Sequence, residues 1–325
     1  LTSLMRCSIL ELGRTDMEHV VSTTMLDRKI NTSPLRRAMG LLWRDKFACA
    51  AAIFLLVVLL AAIFGPYFFD QEASAINLRT RNVRPFSVEH GWMYFLGGDA
   101  LGRAIFPRLL VGAQNTIVIA ASAVLISMLA GATLGFLAGL RDGWTGTIIM
   151  RFADILMSFP SLLLALIVLY VLEPGVKNVI LVLAITRIPI YLRTTRAEVL
   201  EIHERMFVVA ARVMGASPAR IVWKHIRPTV TPTLVTIATL EFAFVMLSES
   251  SLSFLGLGIQ SPDFSWGLMV AQGQNYLGTA WWVAFWPGLA ITLTAMSLNL
   301  LANWLRIATD PVQSWRLESR KQSNE

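Results

Sequence analysis

Charge is scarce in this sequence: Asp, Glu, Lys and Arg make up 15% of its 325 residues, against 55% hydrophobic ones. With a mean hydropathy of +0.60, that composition lies outside the usual soluble globular range. Histidine is scarce too. His19, His90, His203 and His225 include no two at a ligand spacing, which argues against a metal site within the chain. The two cysteines, Cys7 and Cys49, fall in the N-terminal tail and the first apolar run, so no disulfide between them is expected. No Ser, Cys or Thr nucleophile can be set beside a base and an orienting group, so nothing points to an enzyme. No basic-aromatic module accompanies the net charge of +7, which argues against nucleic-acid binding.

What the chain does have is long runs without charge. Residues 47–64 are an uninterrupted apolar stretch that nearly spans a bilayer core as a helix. It predicts a first transmembrane helix, serving as its own signal anchor after a cytoplasmic tail of residues 1–46. Residues 65–115, rich in charged, aromatic and turn residues, predict an aqueous external segment. A transmembrane domain over 116–304 then carries five more spans, near 116–140, 147–172, 178–193, 229–247 and 282–301. The stretch 250–281, with Gly, Ser, Pro and aromatics, predicts an external loop with a short interfacial or re-entrant helix. The fold class is therefore all-α, with six transmembrane helices and both termini on one side.

The distribution of basic residues says which side. Of the 28 Lys and Arg, 20 fall in the tails and loops that six spans place with the termini, and 6 fall on the other side. By the positive-inside rule both termini, including the tail 305–325, are expected to be cytoplasmic.

Residues 197–228 form a cytoplasmic loop longer and more helical in composition than a connector requires. Ala210, Ala211 and Gly215 are expected on one helical face, where small side chains let another surface approach. Gly215 suits the end of a first short helix, and Ser217-Pro218 suit the N-cap and first position of a second. Composition alone leaves a partnerless interfacial hairpin and a docking element equally open.

A resemblance separates them. Ala210-Ala211, three residues, Gly215, and Pro228 thirteen residues later resemble the cytoplasmic coupling loop of ABC-importer permeases. Val209 stands where that family has Glu, and Arg227 where Leu precedes the Pro. A second match precedes the span at 116: Gly97, Gly98, Asp99, Gly102 and Arg103 resemble a signature of the dipeptide, oligopeptide and nickel importer permeases, with Gly98 in place of Thr and Ala104 in place of a final Asp. Further matches include Met150 to Ile155 with Ser158-Phe159-Pro160, Leu252 to Gly258, Trp266-Gly267, Trp281-Trp282, Phe285 to Gly288 and Asp310-Pro311, so that the likeness runs over residues 36–311.

Physically, Asp99 is expected to cap a short helix and Gly102 to permit close packing, a structural role rather than solute contact. Gly97 and Gly102 also have the spacing of a phosphate-binding loop. Arg103-Ala104 stand where its Lys and hydroxyl residue belong, however, so no nucleotide site is expected in this chain.

Charged residues inside the spans are candidates for the pathway or its gating. Arg151 and Asp154, three apart, are expected to pair inside the bundle. Arg187, near Pro189, is either functional, snorkelling, or satisfied by a carbonyl that the proline frees. Glu241 and Glu249 are its expected partners, or else face the solute. Pro160, Pro189, Pro232 and Pro287 are expected bends.

The resemblance implies a permease subunit of the cell inner membrane, carrying peptides or peptide-sized solutes. It implies a homologous second permease, two ATP-binding subunits that use ATP and Mg, and an external solute-binding protein, with no cofactor bound by this chain. The competing class is an ion-coupled secondary transporter, which needs paired midplane carboxylates that are sparse here.

Overall fold

The computed structural model describes residues 42–43, 45–87, 89–141 and 143–309; the tail expectations and the Asp310-Pro311 match lie mostly outside these. Among the described residues all regular elements are helical. In chain order the α-helices are α1 Lys46–Ser74, α2 Ile105–Leu140, α3 Trp144–Ser158, α4 Ser161–Leu172, α5 Val176–His203, α6 Met206–Val213, α7 Pro218–Ile221, α8 Arg227–Phe254, α9 Trp266–Gln274 and α10 Trp282–Thr309. A π-turn, Val222–Ile226, joins α7 to α8, so residues 218–254 read as one long span.

Four of these helices are long and apolar enough to cross a membrane, and the α3–α4 pair makes a fifth if counted as one broken span. Helix α5 falls outside that set; Lys177, Arg187, Arg193, Arg196, Glu198 and Glu201 dilute its hydropathy. The protein is thus an all-helical, multi-pass membrane protein.

Several helix boundaries differ from the sequence reading: α8 runs to Phe254 rather than 247, into the expected loop, and α10 to Thr309 rather than 301. Helix α1 runs past Phe64 through Gly65-Pro66 to Ser74; Pro66 removes one backbone hydrogen bond without ending the helix. Helix α2 begins at Ile105 rather than near 116, taking the charged residue Arg108 into its first turn. The single span expected over 147–172 is instead broken at Phe159-Pro160, where α3 and α4 meet at 88°. Pro189, Pro232 and Pro287 lie within continuous helices.

Helices α2 and α5 pack through a glycine stripe. A Cβ on Gly131 would sit 2.6 Å from Cβ of Tyr191, one on Gly135 2.6 Å from Cβ of Thr195, and one on Gly139 2.8 Å from Cγ1 of Val199. Small residues at i, i+4 and i+8 let the two backbones approach, which is how helices gain packing energy where lipid supplies no hydrophobic drive. These pairs advance together along both helices, so α2 and α5 run parallel. The start of α2 and the end of α5 therefore lie at opposite ends of the bundle, since a helix as long as α2 spans about 54 Å at 1.5 Å per residue.

Candidate functional site

Two regions gather the residues singled out in the sequence, one at each end of the bundle. At the start of α2, Asp99 is 4% exposed and saturated. Its Oδ1 accepts from the backbone N–H groups of Leu101 (2.9 Å) and Arg103 (2.8 Å). Its Oδ2 accepts from Arg103 Nε and Arg108 Nη1, each at 2.7 Å. Asp99 therefore closes a tight loop rather than capping a helix, a correction to the sequence reading. The cap position of α2 is Ala104, which makes no side-chain cap bond.

Gly102 sits in that loop with φ +75°, and a Cβ there would collide with the Asn77 carbonyl. Thr80 Oγ1 lies 2.8 Å from both the Asn77 and Gly102 carbonyls, and the Tyr94 hydroxyl donates to the Gly102 carbonyl at 3.0 Å. Trp282, opening α10, donates from Nε1 to the Gly98 carbonyl at 3.0 Å. Arg108 completes the knot: its Nη2 donates to Gln272 Oε1 of α9 at 3.3 Å, and its guanidinium lies 5.0 Å from the Phe264 ring. Sequence reasoning missed Arg108 and Gln272; a cation in the first turn of an apolar helix, nine residues from an Asp, was the available signal.

Glu249 is a second correction. It is fully buried and makes no contact with Arg187. Instead its Oε1 accepts from Ser253 (2.7 Å) and Ser265 (2.8 Å), with the Ser250 hydroxyl 3.5 Å from Oε2. Ser265 caps α9 by accepting from Leu268 N, so Glu249 ties the end of α8 to the start of α9.

Glu241 does meet Arg187, at 3.7 Å. Arg151 and Asp154 pair loosely at 3.8 Å, but their side chains are 77% and 42% exposed, so they are not bundle-internal. The shorter contact of Asp154 is to Arg193, at 2.5 Å. An exposed carboxylate takes the cation that can swing to it at least cost, here one from the neighbouring α5.

The hairpin 206–226 lies at the opposite end. Helix α6 ends on Gly215 at φ +82°, and Ser217 Oγ accepts from Arg220 N to open α7. Arg212 Nη2 donates to Nε2 of His203 at 2.8 Å, tying α6 back to the end of α5. The small residues do not share one outward face: Ala210 and Gly215 are exposed whereas Ala211 is buried. Val208, Ile221 and Ile226 bury the inner side of the hairpin against Tyr191, Val199 and Ile202. Outward, Met206, Val213 and Met214 are each more than 80% exposed, and Trp223 64%. Arg227, in the position where a Leu was expected, stacks on Trp223 at 4.6 Å. This apolar outer surface went unseen because helix periodicity locates a face without saying which face is covered.

Residues 131–312 match the family described as binding-protein-dependent transport system inner membrane component, over more than half of the chain. The chain belongs to this family. Residues 33–85 of the permease also match the N-terminal transmembrane domain of oligopeptide transport permease C. A di/tripeptide transport system permease, DppC of Pseudomonas aeruginosa strain UCBPP-PA14, is 37% identical over 86% of this chain and 92% of its own. The probable D,D-dipeptide transport system permease DdpC of Escherichia coli K12 is 37% identical over 80% and 86%. The glutathione transport system permease GsiD of Escherichia coli O6:K15:H31 is 39% identical over 82% and 87%. Among solved structures, the permease fold resembles an inward-facing MetNI methionine ABC transporter chain, with TM-score 0.53 and 21% identity over 62% of this chain and 97% of that one. These relatives are transport permeases rather than enzymes, and the ion-coupled alternative has no counterpart among them.

Proposed function

We propose that this permease carries peptides or peptide-sized solutes across the cell inner membrane, and that its 206–226 hairpin is the surface on which an ATP-binding subunit docks. The chain crosses the membrane six times in this reading, with α5 and the α3–α4 pair as full crossings and both termini cytoplasmic. A homologous second permease, two ATP-binding subunits using ATP and Mg, and an external solute-binding protein complete the importer.

The observation that carries the docking assignment is the outer face of α6. Three large apolar side chains stand more than 80% exposed there, beside a turn at Gly215 with open space around it. Exposed apolar clusters on a rigid helix mark protein interfaces. Closure of the ATP-binding subunits would push this hairpin, and α7 transmits the push directly because it runs without a loop into α8. Ala210, Ala211, Gly215, Ser217, Pro218 and Pro228 shape the element, while Val209 and Arg227 give its interface a chemistry of its own. Gly98, Asp99, Gly102 and Arg103 hold the far end rigid. Peptide-sized cargo rests on the peptide permeases named above.

The test is vanadate-sensitive uptake by the reconstituted complex with Val213→Asp or Gly215→Trp. Loss of uptake in chains that still insert is expected, and wild-type uptake in both would remove the docking assignment. Uptake by this chain alone, driven by a proton or sodium gradient, would remove the importer reading itself.

A further inference from the structure

Within the apolar bundle, a charged cluster separate from both the Asp99 knot and the hairpin joins α4, α5 and α8. Arg187 on α5 places Nη1 3.7 Å from Glu241 Oε2 on α8, a distance that makes an ion pair without a hydrogen bond. Its Nη2 contacts the Ser161 hydroxyl at 3.2 Å, and its guanidinium carbon lies 3.8 Å from the centre of the Phe244 ring. Arg187 Nε and Glu241 Oε2 are both buried with no hydrogen-bond partner. Neither side chain is sealed: 13% of Arg187 and 10% of Glu241 remain open, and Phe244 is 46% exposed.

An ion pair kept only for packing would close to hydrogen-bond distance, as Asp99 does with Arg103 and Arg108 at 2.7 Å. This pair leaves donor and acceptor capacity unspent in a low-dielectric setting, where that is most costly. Its surroundings also favour an anion. Ser161 is the first residue of α4, immediately after the break at Pro160, so the guanidinium meets the N-terminal residue of a 12-residue helix that has no side-chain cap.

We propose that Arg187 and Glu241 form a contact site for the transported solute, Arg187 and the start of α4 taking a carboxylate and Glu241 taking an ammonium. A zwitterion, such as a peptide with free termini, can replace each half of the loose pair with a hydrogen-bonded one. The solute thereby opens the tie between α5 and α8 and passes the break in the α3–α4 span. This deepens the transport reading above and rests on it.

The complete complex, reconstituted with its binding protein and a dipeptide that the protein is first shown to load, tests the site. Three quantities are read: ATP-driven uptake, ATPase activity stimulated by the loaded binding protein, and the thermal midpoint of the complex. Replacing both charges with apolar residues of similar size, Arg187→Met with Glu241→Leu, is expected to lower uptake about tenfold, the worth of one hydrogen bond to a charged group. Stimulated ATPase activity and midpoint should stay near wild type, and Arg187→Lys should retain most uptake.

Unchanged uptake in the double variant would reduce the pair to packing and overturn the proposal. So would uptake, ATPase activity and midpoint falling together, or Arg187→Lys failing as badly as the double variant. Absence of ATP-driven dipeptide uptake by the wild-type complex would instead sink the transport reading.

Discussion

The two ends of the bundle handle polar and apolar groups in opposite ways. At the Asp99 end every oxygen of the central carboxylate is used, two cations meet it, and Trp282 and Gln272 bring α10 and α9 onto the same knot. At the hairpin end α6 buries Val208 and Ala211 and turns Met206, Val213 and Met214 outward. An end whose central carboxylate is fully paired within the chain has no need of a neighbour there, whereas one that leaves apolar surface in water is unfinished until something covers it. Stability should therefore be concentrated at the first end and coupling at the second.

Asp99→Ala gives that contrast its hardest trial. It would leave the buried Arg108 guanidinium without its anion, and truncating one partner of a buried pair costs about 3–5 kcal/mol. A marked fall in the thermal midpoint or yield of the complex is expected, and an unchanged midpoint would mean that the knot is not the rigid end.

Between the two ends, Gly135→Val would drive a branched side chain into Thr195 across the α2–α5 contact. Overpacking of this kind costs about 1–3 kcal/mol, read as a lower midpoint. Trp282→Phe should be milder, about 1 kcal/mol for the lost hydrogen bond to the Gly98 carbonyl. Val213→Asp completes the series with the smallest effect on stability, within about 0.5 kcal/mol because the side chain is exposed. Its uptake should nonetheless be lost. A midpoint shift for Val213→Asp as large as that for Asp99→Ala would erase the distinction between the ends.

The turn of the hairpin was legible, though not its faces: Gly215 adopts a left-handed turn and Ser217-Pro218 open the next helix, because those residue types restrict the local backbone wherever they stand. The Asp99 motif was visible as a motif, yet its geometry was not. Asn77, Thr80, Tyr94 and Trp282 reach the loop from elements whose spacing in sequence carries no period. The break at Pro160 was read as a bend within one span, since a proline marks a weak point without fixing the angle. The four-residue spacing of Gly131, Gly135 and Gly139 was passed over in the sequence; it marks a close-packing face, but only the structure shows that α5 covers it.

By itself the sequence determined that this chain is helical and lies in a membrane, because uncharged runs of sufficient length are a local property that lipid enforces on every backbone hydrogen bond. It also determined the turn at Gly215, where the conformation belongs to one residue. Only the tertiary structure decided that Asp99 takes Arg108, that Glu249 takes serines rather than Arg187, and that Arg187 is left half-satisfied beside Glu241. Which distant helix brings its polar groups within 3 Å is set by the packing of the whole bundle, and a hydrogen bond is too short-ranged to be inferred before that packing exists.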